Sequence, residues 1–189
     1  MLEFGDDFYK QESELEKIIR DYWIHLNPQE CTIADNGSVD VSGSVKFIKA
    51  SSFITELPLT FNKVSGNFDC SRLSLTSLKG SPIEVGGDFD CSFNNLTSLE
   101  FVPKKVNGVF IFDNMVHDIS TVKSSFARVM LLQLTDDKSS PLLPEVIKYS
   151  DHLSILFKYM NYYNAWNTDG SLHPENWNIL IEDILNGLE

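Results

Sequence analysis

Val64, Val85 and Val106 recur at a step of 21 residues, and so do Gly66, Gly87 and Gly108, and Phe68, Phe89 and Phe110. Cys70 and Cys91 keep the step, with Phe112 in the third place. Leu75 and Leu96, Leu78 and Leu99, and Pro82 and Pro103 repeat it again. Seven positions sharing one register are an internal repeat, not coincidence. A unit this short cannot bury its own apolar edge, so successive units must stack into a coil.

A degenerate earlier copy begins at Val41-Ser42-Gly43-Ser44-Val45-Lys46-Phe47, a step of 23 before Val64, and its apolar positions continue as Phe53 and Leu57. The copy from Val106 decays after Phe112, with Val116 and Ile119 one position early. Two regular units thus lie between two atypical ones, as expected where end repeats meet different neighbours.

Within a unit, Phe89-Asp90-Cys91 alternates apolar, polar and apolar, which predicts a short strand. Leu96 and Leu99 point inward from a turn, and Pro103 and the Gly86-Gly87 pair supply the return turn. Sequential strands should form one parallel sheet along one side of the coil. The run from Phe89 to Leu99 matches LxLxxNxLxxL, the leucine-rich-repeat core, with Phe and Cys at leucine places. Asn94 holds the ladder position once, Leu73 stands there in the preceding unit, and the next asparagine is displaced to Asn114. A continuous asparagine ladder is therefore not expected, and packing must hold more of the coil together.

These units resemble short leucine-rich-repeat-like proteins of large tailed bacteriophages, in which segments like VGGxFxCSxNxLTSLxGxP recur behind a helix and a DGSVDVxGxV stretch. Here that stretch reads Asn36-Gly37-Ser38-Val39-Asp40-Val41-Ser42-Gly43-Ser44-Val45. The resemblance covers roughly residues 32–115 and leaves out the chain from about Ser120. It implies a phage accessory protein, made in the host cytoplasm, that binds and inhibits a host protein: a defence factor or toxin, nucleic-acid-modifying ones included. The alternative is a structural or self-assembling phage component.

The flanks read as helical. Leu15, Ile18, Ile19, Tyr22 and Trp23 form an apolar stripe on a predicted helix from Tyr9 to Leu26. It should cap the first repeat. The segment Phe126–Leu132 reads equally as buried strand or short helix. Beyond the loop Asp136–Pro141, a helix is predicted from Pro144, carrying Val146, Ile147, His152, Leu153, Leu156, Phe157 and Met160. After the loop Asn167–Ser171, a last helix from Pro174 carries Trp177, Leu180, Ile181, Ile184 and Leu185. The expected fold class is thus an α/β repeat: a short leucine-rich-repeat-like solenoid with parallel strands, an N-terminal helical cap and a C-terminal helical cap. Its divisions are 1–37 for the first cap, 38–120 for a solenoid of about four repeats, and 121–189 for the C-terminal cap or subdomain.

Charge directs the functional reading. The net charge is −12. This opposes direct nucleic-acid binding, which needs clustered Lys and Arg, and suits a partner protein with a basic surface. No apolar run is long enough to span a bilayer, and the acidic start Met1–Asp7 is unlike a signal peptide. His25, His117, His152 and His173 fall in no catalytic or metal motif. Cys31, Cys70 and Cys91 show no metal spacing or disulfide framework, with Cys70 and Cys91 expected to stack as small core residues. The chain is therefore read as a non-enzyme without cofactor or metal, monomeric or weakly self-associating.

Two partner-binding candidates follow. Outward positions of the strands align as one row of Ser44, Asn67, Asp88 and Val109, and another of Lys46, Asp69, Asp90 and Ile111. The face would have an acidic centre at Asp69, Asp88 and Asp90 and an apolar end at Val109 and Ile111. The second candidate is the aromatic run Tyr159, Tyr162, Tyr163 and Trp166, with Tyr162, Tyr163 and Trp166 as anchors. Each feature also reads as ordinary structure: a solvated sheet face, or the core of a small helical unit.

Overall fold

A computed structural model describes residues 12–48, 54–136 and 138–189. It is a parallel-strand β-solenoid of about four turns with a few helices. The first sheet is built from β2 (Cys31–Ile33), β3 (Val39–Val41), β5 (Phe61–Val64), β7 (Glu84–Val85) and β9 (Lys105–Val106), in that order. The second holds β1 (Ile24–His25), β4 (Val45–Phe47), β6 (Phe68–Asp69), β8 (Phe89–Asp90), β10 (Val109–Asp113) and β11 (Arg128–Leu132). All pairs are parallel except β1 on β4 and β2 on β3.

The repeat step becomes sheet register. Phe68 pairs with Phe89 and Phe89 with Phe110, one unit apart each time. The longer first step survives too, as Val41 opposite Val64 and Val45 opposite Phe68. Phe68, Phe89 and Phe110 are fully buried. Their ring centroids lie 5.7 and 5.9 Å apart down the column, the offset spacing aromatic quadrupoles favour. Val64, Val85, Val106, Leu75, Leu78, Leu96 and Leu99 line the same core. Cys70 and Cys91 stack within it as free thiols, and burial raises both well above the ordinary thiol pKa.

Each turn of the coil carries two strands where the sequence reading had one. The Gly86-Gly87 pair is not a return turn to the next unit. It is the corner between β7 and β8, and the valine ahead of each corner belongs to the first sheet. The corner is narrow because the backbones of successive turns touch there. Gly66 N donates to Gly43 O, Gly87 N to Gly66 O and Gly108 N to Gly87 O, each at 2.9 Å. A Cβ on Gly108 would lie 2.6 Å from Gly87 O, nearer than real side chains approach.

The flanks differ from the sequence reading in three ways. The N-terminal helix α1 spans Glu14–Asp21, held at its start by a reciprocal Ser13–Glu16 capping box. It ends before Trp23, whose φ of +50° breaks it; the chain then enters β1, antiparallel to β4. Tyr9 to Gln11, the start of the expected helix, Phe53 of the degenerate copy and the acidic start lie outside the described residues. Second, of the two readings left open for Phe126–Leu132, strand holds for Arg128–Leu132, which pairs with Val109–Asp113 along its whole length but is half-buried to exposed rather than buried. Third, the helix expected from Pro144 is broken into α2 (Pro144–Lys148), a 3-10 turn at Ser150–His152 and α3 (Leu153–Tyr159). The last helix, α4, spans Pro174–Leu185; it buries Trp177, Leu180, Ile181 and Ile184 but leaves Leu185 exposed.

The aromatic column also joins solenoid to helices. Phe126 lies 4.7 Å from Phe110 and 5.7 Å from Phe157 of α3. No helix among the described residues is long and apolar enough to cross a membrane.

Candidate partner-binding face

The two outward rows have different jobs. In the first, Ser44, Asn67 and Asp88 form a side-chain ladder beside the glycine corner. Ser44 Oγ accepts from Asn67 N at 3.0 Å, Asn67 Oδ1 from Asp88 N at 2.9 Å, and Asp88 Oδ1 from Val109 N at 2.7 Å. Each oxygen satisfies a backbone donor that the short strands leave over. A hydroxyl, an amide and a carboxylate do the same work at successive turns. The task needs an oxygen and no charge, so the charge of Asp88 is additional to it.

The second row is the open face. Lys46 pairs with Asp69, Asp69 with Asp90, Asp90 with Ile111, and Ile111 with Met130. Neighbouring strands lie about 4.8 Å apart, which brings the Asp69 and Asp90 side chains close together. Lys46 Nζ binds Asp69 Oδ2 at 3.0 Å. Among the described residues neither Asp88 nor Asp90 joins an ion pair. Asp69 and Asp90 each turn one oxygen onto the serine two residues on. Asp69 Oδ1 accepts from Ser71 N and Oγ, and Asp90 Oδ1 from Ser92 N and Oγ, all within 3.1 Å. Burial pushes the Asp69 carboxyl up, but the Ser71 hydroxyl, Lys46 and the Ser71 N–H together hold it below the ordinary carboxylate value.

The face therefore runs from Lys46, through two carboxylates, to Ile111 and the exposed Met130. The apolar end is longer than Val109 and Ile111 alone, because β11 adds Met130 in register and brings exposed Arg128 opposite Val109. Sequence reasoning missed these two because the step from Phe110 to its partner Val129 is not the repeat step.

A second charged row also went unread. On the first sheet Lys63 pairs with Glu84, and Glu84 with Lys105. Lys63 Nζ lies 3.2 Å from Glu84 Oε2, and Asp40 Oδ1 accepts from Lys63 N. These residues line a shallow groove of about 380 Å³. Their step of 21 was visible, but with only one strand assigned per unit there was no sheet on which to place them. With Asp40 the row is balanced in sign, whereas the second-sheet face, though Lys46 pairs with Asp69, keeps an acidic excess.

Of the C-terminal aromatics, Trp166 turns toward the core, where its indole N–H points at Met160 Sδ, 3.2 Å away, and its ring lies 6.2 Å from buried Trp177. Tyr159 and Tyr163 are half-buried, and Tyr162 is 81% exposed. Of the three proposed anchors, only Tyr162 projects freely.

Asp113, which drew no notice in the sequence, is a buried carboxylate. Its Oδ1 accepts from Met115 N and its Oδ2 from Phe93 N. Burial, with Asp90 nearby, raises its pKa against these two bonds. Among the described residues no group of three or more His, Cys, Asp or Glu gathers closely enough to hold a metal ion.

No family model matches this chain, and neither a curated protein nor a solved structure does.

Proposed function

We propose that this solenoid is a protein-binding module that docks a basic partner surface on the second sheet, across Asp69, Asp88 and Asp90, with Ile111 and Met130 as the apolar end. The observation that carries this reading is the surplus charge of Asp88. Ser44 and Asn67 show that the corner ladder works with neutral oxygens, yet a carboxylate stands beside Asp69 and Asp90 at the centre of the face. Gathered like charges repel, and a cationic surface relieves that repulsion. A repeat coil suits the task, since it presents a rigid, extended face without closing a cleft.

The repeat resemblance supplies the biological setting of the proposal. The chain is a phage accessory protein of leucine-rich-repeat type acting in the host cytoplasm, with its terminal helices covering the ends of the coil. Its partner is a host defence factor or toxin whose basic, nucleic-acid-facing surface it blocks, so the protein inhibits without catalysing a reaction.

The test is affinity capture from infected host lysate with the full chain and with the Asp69→Asn, Asp88→Asn, Asp90→Asn triple variant. Asparagine keeps the oxygens that accept from Ser71, Val109 and Ser92, so folding survives while charge goes. The partner should be lost from the triple variant and released from the native chain by salt. A partner held equally by both proteins would overturn the proposal.

A further inference from the structure

Tyr162 is the most exposed large aromatic or apolar side chain among the described residues. It sits just beyond α3, where Met160 and Ala165 turn inward and are buried. Its ring lies 5.5 Å from that of Tyr163, inclined by 70°, and Tyr163 lies 6.5 Å from Tyr159 at 90°. With 81% of its surface exposed, the Tyr162 side chain lies largely in solvent. Tyr163 Oη donates to Asp183 Oδ2 of α4 at 2.5 Å. That bond, with some burial and the carboxylate's charge, pushes the Tyr163 phenol up to about 12, so it stays a neutral donor. Asp183 Oδ1 takes no hydrogen bond among the described residues.

The segment that carries this cluster is acidic overall. From Pro144 onward there are seven acidic residues and two lysines, with no arginine. One of the lysines already occupies the cluster: Lys158 Nζ sits 4.9 Å from the Tyr159 ring centroid and donates to Glu189 O at 2.9 Å. The molecule thus shows an ammonium held by a tyrosine face and an oxygen here, while among the described residues no cation lies over the Tyr162 ring.

From this arrangement we infer that Tyr162, Tyr163 and Asp183 form a receptor for an arginine side chain of a partner protein. A guanidinium is flat and weakly hydrated. It stacks on a tyrosine face while its edge donates to a carboxylate, which a compact ammonium does less well. An exposed tyrosine is also a low-entropy anchor at interfaces. The inference rests on reading the chain as a binder of basic partners, but it concerns a surface other than the acidic sheet face.

The probe is a short peptide bearing three arginines, compared with the same peptide carrying lysine or citrulline instead. Binding to the full isotope-labelled chain is followed through tyrosine ring resonances at low salt. The arginine peptide should shift Tyr162 and Tyr163 saturably, bind about two- to fivefold more tightly than the lysine peptide, and outcompete the citrulline peptide. Tyr162→Ala should abolish the shifts without unfolding so exposed a position, and Asp183→Asn, which still accepts from Tyr163, should weaken them. Equal binding of arginine and citrulline peptides would overturn the inference, as would unchanged affinity in Tyr162→Ala. Binding that survives Tyr162→Ala but fails in the sheet-face triple variant would sink it while leaving the sheet-face proposal standing. The reverse pattern is the one expected for this peptide, and it leaves the sheet-face proposal to its own capture test.

Discussion

The ring of Phe89 lies 5.7 Å from the ring of Phe68, with the planes inclined by only 16°. Both side chains are wholly buried, and the contact joins consecutive turns of the coil. Phe89 also touches Phe110 on its other side. Phe89→Ala therefore removes contacts to two neighbouring turns at once. It should cost about 3–5 kcal/mol in urea unfolding, with Phe89→Leu losing distinctly less. A cost below about 1 kcal/mol would mean that the column does not hold the turns together.

The repeat made this column legible, because a fixed step turns directly into register once units stack. Phe68, Phe89 and Phe110 needed only counting. The first sheet was not legible, because Phe61-Asn62-Lys63-Val64 and Lys104-Lys105-Val106 lack the apolar, polar, apolar alternation that marks the short β8. Glycine pairs read alike whether they end a unit or bend its middle. The break between α2 and α3 left no trace, because Val146, Tyr149, Leu153, Leu156, Phe157 and Met160 keep helical spacing across it. On the candidate face, the row Lys46, Asp69, Asp90 and Ile111 was readable as outward. The ladder role of Ser44, Asn67 and Asp88 was not, since it depends on how closely the corners approach.

Asn94 gives a second prediction. Its Oδ1 accepts from Leu73, Ser74 and Leu75 N, and its Nδ2 donates to Cys70 O and Cys91 O at 2.9 Å each. The side chain reaches back one unit and closes the turn where Leu73 stands in its place. Asn114 instead reaches forward, to Leu134 N and to Thr135 N and O. The two amides thus act separately, each on its own turn. Asn94→Ala leaves several buried backbone groups unpaired and should destabilise by roughly 3 kcal/mol or more. Asn94→Asp keeps the acceptor but loses both donors and buries a charge, so it should not rescue. Thermal unfolding of the two variants measures this, and a mild effect in either would show that the turn closes without Asn94.

The glycine corner predicts a position-specific intolerance. A Cβ on Gly87 would collide with Asn67 Oδ1 and come 3.0 Å from Asn67 N, breaking the rung that Asn67 makes to Asp88 N. A Cβ on Gly37 meets nothing within 4 Å, and only its φ of +78° opposes a side chain. Gly87→Ala should therefore cost about 2 kcal/mol or more, and Gly37→Ala about 1 kcal/mol, as expected for left-handed backbone strain alone. Equal costs would mean that the corners are looser than their 2.9 Å bonds imply.

Two acids two turns apart should respond to pH in opposite senses. The Asp69 carboxyl is held below its ordinary pKa, with Ser71 and Lys46 outweighing burial. Its contribution to stability is therefore present above the unfolded carboxylate pKa and lost as pH falls through the folded value. Asp113 is raised, chiefly by burial and further by Asp90. Its contribution is present below the unfolded pKa and lost as pH rises through the folded one. The penalty of Asp69→Asn should accordingly be largest near neutral pH and shrink toward about pH 3. The penalty of Asp113→Asn, which forfeits one of two accepted N–H bonds at any pH, should be largest in acid and shrink toward neutrality. Urea titrations of both variants and the native chain at about pH 3, 5 and 7 bracket the carboxylate range. Penalties that vary with pH in the same direction would contradict the opposite environments assigned to Asp69 and Asp113.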